Sequence, residues 1–201
     1  MNFVPKSEET RRAIIKATAS IFNKKGYVGT YVSDLLKATN LTKGGIYGNF
    51  ENKEDIALAA FDYNLGCLRT IQKGLVEAAK TYKDKLLAHI HLFSSKANLP
   101  IPEGGCPMGN TALEADDTDE TLRKRAGDGF LRWKKDLVKL VEEGMAAGEF
   151  RKSTDPEETA LHIMALLEGA VMIGKATQNV EILERTLDIA RGVVDNITKK
   201  H

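Results

Sequence analysis

Residues 30–50 hold the feature that most restricts the fold. Two stretches of helical character, Tyr31–Thr39 and Lys43–Asn49, are separated only by Asn40 and Leu41. Each follows a threonine, Thr30 or Thr42, whose side-chain oxygen can accept a bond from a free backbone N–H at a helix start. Asn tolerates the left-handed conformation that turns a chain sharply after a helix. Two short helices joined in this way predict a helix-turn-helix.

An amphipathic helix is predicted just before this pair, over residues 7–25. Ile14, Ala17, Thr18, Ile21 and Phe22 fall at helical spacing, while Arg11, Arg12, Lys16 and Lys24 mostly take other faces. Ser7 can cap it, Glu8 and Glu9 suit the positive end of its dipole, and Gly26 supplies a stop. Asn52 with Asp55 forms a capping pair that opens a longer helix at Lys53, running to about residue 80. Helical periodicity continues over Tyr82–Ala97, Asn110–Ala115, about Thr121–Ala147, Pro156–Gln178 and Val180–Lys199, with a Pro/Gly-rich loop at Asn98–Pro107. Pro156 at a first helical position is followed by acids in its first turn, and Gly148 ends the helix before it. No stretch reads as a strand. The predicted fold class is all-α with about nine helices: an N-terminal three-helix domain over 1–52 and a C-terminal helical domain over 53–201.

Composition narrows the partners. With 42% hydrophobic residues in 201, a substantial core can be buried. No apolar run approaches the ~18 residues of a membrane span, and the opening Met1-Asn2-Phe3-Val4-Pro5-Lys6 lacks the apolar core of a signal peptide. A cytoplasmic location and no membrane partner are expected. Cys67 and Cys106 are too few for a disulfide framework or a four-thiolate zinc site, so no metal and no cofactor is expected. The net charge of +1 conceals an asymmetry. Residues 1–53 carry nine Lys/Arg against four Asp/Glu, which fits a nucleic-acid-binding head on a slightly acidic body.

The second short helix has the chemistry for that role. A helix entering the major groove needs small residues where backbone meets DNA and polar groups that reach phosphate. Thr42-Lys43-Gly44-Gly45-Ile46-Tyr47-Gly48-Asn49-Phe50 meets both demands. Each glycine in a helix costs roughly 1 kcal/mol relative to Ala, and close approach to DNA is a reason to bear that cost. Tyr47 can bond a phosphate, Lys43 a phosphate or a guanine edge, and Ile46 with Phe50 should face inward.

Residues 9–55 resemble the DNA-binding domain of the tetracycline-repressor (TetR) family. The matching stretches are Ile14-Ile15-Lys16-Ala17 through Ile21-Phe22, Gly26-Tyr27 with Thr30, Asp34-Leu35, and Leu41 to Tyr47 running into Phe50-Glu51-Asn52-Lys53-Glu54. The resemblance implies that Thr30, Thr42, Lys43, Tyr47 and Lys53 contact the DNA backbone, Lys53 beside a helix N-terminus that itself favours phosphate, and that Gly44 and Gly45 lie nearest the bases. Gly45 and Gly48 depart from the hydroxyl-bearing and bulkier residues frequent in the family at these places, so the operator sequence is not read from them. The resemblance further implies double-stranded operator DNA as partner, repression as the usual mode, release by a small-molecule inducer, and a homodimer formed through the last two long helices. His162, Ile163, Leu166, Leu167, Ala170, Val171 and Ile173 are apolar on more than one face, and Gly169 and Gly174 would allow close helix crossings.

For the ligand-binding region, helical position and size single out Leu65, Leu68, Phe93, Met108, Phe130, Trp133, Met164 and Met172 as candidate lining residues, each also suited to plain core. Cys106, in Pro102-Glu103-Gly104-Gly105-Cys106-Pro107, is expected to be reachable, with the following helix N-terminus favouring its thiolate, whereas Cys67 is expected to be buried. Gly105-Cys106, Ala112-Leu113-Glu114 and Leu167-Glu168-Gly169-Ala170 with Lys175 resemble the branch containing the repressor of N-ethylmaleimide reductase. That resemblance implies Cys106 as an electrophile sensor tuned by Lys175; a cysteine that simply packs is the alternative.

Enzymatic readings find little support. His89 and His91 are two residues apart and point to nearly opposite helix faces, so they cannot share a metal in that helix. The sequence lacks G-x-S-x-G, a phosphate loop and a His-x-x-x-His pair. A helical small-molecule-binding protein without DNA binding remains the alternative, and it leaves the basic, glycine-containing turn unexplained.

Overall fold

A computed structural model describes residues 6–199, which form nine α-helices and one 3-10 turn. The helices are α1 Lys6–Gly29, α2 Val32–Thr39, α3 Lys43–Tyr47, α4 Lys53–Ala78, α5 Tyr82–His91, α6 Pro107–Ala115, α7 Glu120–Ala146, α8 Pro156–Thr177 and α9 Val180–Ile197. Among the described residues the β contribution is one isolated bridge, Phe150 with Thr198. The chain divides into two compact units. The first runs to Leu68 and takes in Ile101–Gly127; the second comprises Arg69–Pro100 and the chain from Asp128.

In the first unit, α1 is two helical pieces meeting at Gly26, whose φ of 74° breaks the regular path. A side chain at Gly26 would also collide with the Glu114 carboxylate. That carboxylate accepts from the Tyr27 and Val28 N–H groups at 2.7 and 2.8 Å, so it satisfies donors the break leaves open. Asn23 donates to the carbonyls of Glu103 and Gly105, and Asn110 donates to the carbonyls of Asn23 and Gly104. These bonds fasten α1 to the Pro/Gly-rich segment and to α6, which begins at Pro107 rather than at Asn110 because proline suits a first helical position. The apolar stripe of α1 closes the core of the head: Ile14, Ala19 and Phe22 pack with Leu35, Ile46, Phe50, Ile56, Ala57 and Ala60.

In the second unit α8 and α9 pack against each other, and α5 packs on α9. A Cβ added at Gly174 would lie 2.9 Å from the Leu183 Cβ, so this glycine permits the close approach of α8 and α9. Within this chain nothing lies within 4 Å of a Cβ added at Gly169, so no helix crossing inside the unit requires that glycine. Asp155 caps α8 through the Glu157 and Glu158 N–H groups, and Asn179 caps α9.

The helix expected over Tyr82–Ala97 stops instead at His91. Ser94 accepts from the Lys96 N–H and starts the 3-10 turn Ser95–Ala97, while Glu184 of α9 accepts from both serine hydroxyls and from the Ser95 N–H. Burial works to raise the Glu184 pKa, but the bonds from Ser95 and Ser94 outweigh it and hold the carboxyl below its ordinary value. A second correction concerns α8. By length and composition it is apolar enough to cross a membrane, contrary to the expectation that no segment is. The expectation counted uninterrupted apolar runs, whereas a helix apolar on more than one face reaches the same average despite Glu168. Only 28% of that stretch is buried within the chain.

Candidate nucleic-acid interface

The turn between α2 and α3 is built by local chemistry. Asn40, with φ of 53°, adopts the left-handed conformation that ends α2. Thr42 caps α3, its hydroxyl oxygen accepting from the Gly45 N–H at 3.2 Å. Asn52 accepts from the Asp55 N–H at 2.9 Å and opens α4. Ile46 and Phe50 face inward, at 0% and 3% exposure, which fixes the opposite face of α3 outward.

That outward face carries the expected groups. Thr42, Lys43 and Gly44 are exposed, and Gly45 and Tyr47 are half-buried. A Cβ at Gly44 would meet nothing closer than the Thr42 hydroxyl at 4.0 Å, and one at Gly45 would make ordinary contacts at 3.5 Å with Leu41 and Thr42. The chain's own packing therefore does not require glycine at either position. The Lys43 ammonium stands 6.0 Å from the Tyr47 ring centre, and Lys53 at the start of α4 lies 4.4 Å over the ring of Tyr27.

One expected contact is withdrawn. Thr30 is fully buried and its hydroxyl donates to the Gly26 carbonyl at 2.6 Å, so it closes the turn after α1 and has no side chain to offer a phosphate. Nor does it cap α2, which starts one residue later than expected. Tyr31 takes the cap position, and its N–H donates to the Asp34 carboxylate at 2.9 Å. The hydrogen bond from Lys25, then that from Tyr31, holds the Asp34 carboxyl below its ordinary pKa. The shift by one residue makes Tyr31, expected as the first residue of the helix, its cap, and places this polar aromatic at 68% exposure on the surface.

The basic surplus is also distributed unevenly. Arg11 donates to the Asn49 carbonyl at 2.5 Å and to Asp55 at 3.1 Å, and its guanidinium sits 4.0 Å over the Phe50 ring. It holds the end of α3 and the start of α4 in place. Arg12 pairs with Glu8, Lys24 with Glu103 and Lys25 with Asp34. Among the described residues up to 53, the basic side chains outside ion pairs are Lys16, Lys37, Lys43 and Lys53. Two of these four, Lys43 and Lys53, are the first residues of α3 and α4.

Residues 14–60 match the family described as bacterial regulatory proteins, tetR family, and residues 83–190 match tetracyclin repressor-like, C-terminal domain. A solved TetR-family transcriptional regulator from Cytophaga hutchinsonii is 44% identical, with a TM-score of 0.95 and all of both chains covered. One from Chloroflexus aurantiacus J-10-FL is 38% identical, with a TM-score of 0.90 over 98% of this chain and 99% of that one. An HTH-type transcriptional regulator from the lacX 3' region of Lactococcus lactis subsp. lactis is 30% identical over 95% of this chain and 96% of its own length. This chain belongs to the TetR family. As a TetR-family member it is a DNA-binding transcriptional regulator with a helical ligand-binding C-terminal domain, and not an enzyme. The repressor NemR of Escherichia coli is a distant relative, 22% identical over 92% of this chain and 94% of its own length, which shows a shared fold and no closer branch.

The residues expected to line a ligand pocket in this TetR-family chain fall in both units. Leu65, Leu68 and Met108 are buried in the first; Phe93 is buried, and Phe130, Trp133 and Met164 half-buried, in the second. Met172 is removed from the group, because at 52% exposure it stands on the outer face of α8. A cavity of about 30 Å³ in the first unit, room for a water or two, is bordered by Phe22, Tyr27, Phe61, Asn110, Glu114 and Leu122 among others, and by none of the eight. The thiols reverse the expectation. Cys106 is buried at 2% exposure at the start of α6, where the tight bonding of Asn23 and Asn110 closes the loop around it, whereas Cys67 is half-buried. Lys175 is exposed in the last turn of α8 in the second unit, and Cys106 belongs to the first. His89, read in sequence as a weak metal candidate, is a core residue at 5% exposure whose Nδ1 accepts from the Trp133 indole N–H at 3.1 Å.

Proposed function

We propose that this regulator is a repressor that binds a roughly palindromic operator as a homodimer and is released by a small-molecule inducer held in its C-terminal helices. The observation that carries the DNA-facing part is the outward surface of α3: exposed Lys43 and Gly44 beside Tyr47, with no demand for glycine from the chain's own packing. Thr42, Lys43, Tyr47 and Lys53 serve as backbone contacts, joined by Tyr31, and Gly44 and Gly45 let the helix approach the base edges. The functional division is a head over 1–52 and a ligand and dimer region over 53–201.

The dimer reading rests on α8 and α9. Leu161, Met172 and Ile173 on α8 and Val180 and Ile189 on α9 are each 41–60% exposed, and Leu161, Ala165, Gly169, Met172 and Ala176 run as one stripe along α8. So much apolar surface on two adjacent helices calls for cover, and a second copy of the same pair supplies it. The same cover accounts for the apolarity of α8 without a membrane, in keeping with a cytoplasmic protein. Burial of Cys106 favours reversible ligand binding over electrophile sensing through Cys106 and Lys175.

The test is selection of bound sequences from a random duplex pool, with follow-up titrations at about 150 mM salt, near physiological ionic strength. An enriched palindrome is expected, bound tenfold or more weakly by Lys43→Ala and Tyr47→Ala proteins that melt like the parent. Undiminished binding by both variants would overturn the placement of the recognition helix, and an enriched half-site without symmetry would overturn the dimer.

A further inference from the structure

The break in α1 opens two backbone donors that a carboxylate far along the chain takes up. At Gly26 the helical path stops and restarts, and the N–H groups of Tyr27 and Val28 turn to α6. Glu114 accepts from Tyr27 through Oε2 at 2.7 Å and from Val28 through Oε1 at 2.8 Å, across 87 and 86 residues. Hydrogen bonds to an ionised group are roughly twice as strong as those between neutral ones. Asn110, one turn before Glu114 and so on the same face of α6, donates to the Asn23 carbonyl at 3.0 Å. Together the two side chains fasten α6 to the end of α1.

Tyr27 carries that anchorage towards the DNA-facing surface of the same unit. Its backbone is held from both sides, since the Thr30 hydroxyl also bonds the Gly26 carbonyl. Its ring packs on the core of the head, as Tyr47 does, and lies under the Lys53 ammonium, 4.4 Å from the ring centre. Lysine is a point charge on a flexible stem, and Lys53 stands outside the ion pairs found among the described residues up to 53, so the ring sets where its ammonium stands. Burial and then the charges of Glu54 and Asp119 raise the Tyr27 pKa, which places two carboxylates close by. A Lys53 released from the ring has them to pair with instead of a phosphate.

We propose that Glu114 is a positioning residue for operator binding: its carboxylate fixes Tyr27, and the Tyr27 ring holds the Lys53 ammonium where it meets a DNA phosphate. This rests on the reading of Lys53 as a DNA-backbone contact. The sign of the effect separates positioning from charge. Removing a carboxylate lowers the repulsion of a polyanion, so by charge alone Glu114→Gln binds operator more tightly, whereas by positioning it binds more weakly.

The probe is the duplex enriched from the random pool, titrated between about 50 and 200 mM salt. Lys53→Ala should bind about tenfold more weakly near 0.1 M salt and lose about 0.9 from the slope of log K against log[salt], the share of one phosphate. Glu114→Gln, whose NH2 group faces one of the two N–H donors, should lose the same slope, and adding it to Lys53→Ala should weaken binding no further. A smaller folded fraction lowers log K equally at every salt concentration, so a merely structural role for Glu114 leaves the slope in place. Tyr27→Leu removes the ring and keeps Glu114, so its expected loss of slope tests the second link even if the Glu114 variant fails to fold. A full slope in Glu114→Gln or in Tyr27→Leu, additive losses in the double variant, or tighter binding by Glu114→Gln would each overturn the proposal and leave Lys53 as a contact. A full slope in Lys53→Ala would instead remove that contact from the repressor reading, and a parent that binds no duplex would remove the reading itself; either result takes the proposal with it.

Discussion

The turn that presents α3 and the interior of the second unit are held by bonds of very different reach. In the head, Thr42 caps Gly45, Asn52 caps Asp55 and Asp34 receives Tyr31, each across three residues. In the second unit Trp133 meets His89 across 44 residues, and Glu184 meets Ser94 across 90. The first kind of structure forms wherever its short motif occurs; the second exists only once distant helices have packed. The turn that presents α3 is thus specified locally, while the interior of the second unit is assembled from residues far apart in the sequence.

The largest test of this contrast is the pH dependence of stability. His89 has a folded pKa of about 4 against an ordinary 6.5, because burial disfavours its charged form. Below pH 6.5 the unfolded chain binds a proton that the folded chain refuses, so stability is fully present above 6.5 and falls as pH drops towards 4, with no further loss from this group below that. A shift of this size corresponds to about 3 kcal/mol across the window. Chemical denaturation of the parent from pH 7 to pH 4 should show that loss, and His89→Gln should flatten much of it. An identical slope in both proteins would mean that the second unit does not depend on this long-range pair.

Next in size is Arg11→Ala, which asks whether the head is as local as its caps suggest. Arg11 reaches 38 and 44 residues along the chain to Asn49 and Asp55, and it stacks on Phe50. Hydrogen bonds to charged groups contribute roughly 1.5–3 kcal/mol, and the third of the pair's surface still in water trims that towards about 1–2 kcal/mol. The variant should melt earlier and bind operator less tightly, since the end of α3 loses its tether. Unchanged melting with unchanged affinity would show that the caps alone set the geometry.

The same difference in reach explains what the sequence disclosed. Helix spacing, the Asn40 turn, the Thr42 and Asn52 caps and the inward Ile46 and Phe50 depend on neighbours within one or two turns, and each was legible. Thr30 was misread by a single residue, because its hydroxyl answers the Gly26 carbonyl made available by the kink in α1, and Tyr31 was missed as a consequence. The burial of Cys106 could not be read from a loop whose Gly and Pro suggest openness, since Asn23 and Asn110, both distant in sequence or hidden in α6, close it. That His89 is a core acceptor for the Trp133 indole N–H was hidden as well, because no spacing rule links two residues 44 apart. Met172 was chosen for size and helical position, and neither property tells an inner face of α8 from an outer one.

The smallest effect is the one that separates fold from function within the head. Gly44 is exposed in α3, and a Cβ there would have 4.0 Å of clearance from its nearest neighbour. Replacing an exposed helical glycine by alanine removes backbone freedom from the unfolded chain and typically stabilises by about 0.4–1 kcal/mol. Gly44→Ala should therefore melt slightly later than the parent. If α3 lies in the major groove, the added methyl group stands between the helix and the base edges, so the same substitution should weaken operator binding about tenfold, a change of ~1.4 kcal/mol. Gly74→Ala supplies the control: Gly74 is exposed in α4 with nothing within 4 Å of an added Cβ, so it should gain similar stability and leave affinity untouched. Thermal melts and operator titrations of the two variants side by side decide the matter. Stability and affinity that rise together in Gly44→Ala would mean that the glycine faces solvent rather than DNA, and the contact surface would have to be sought instead around Tyr31 and Lys37.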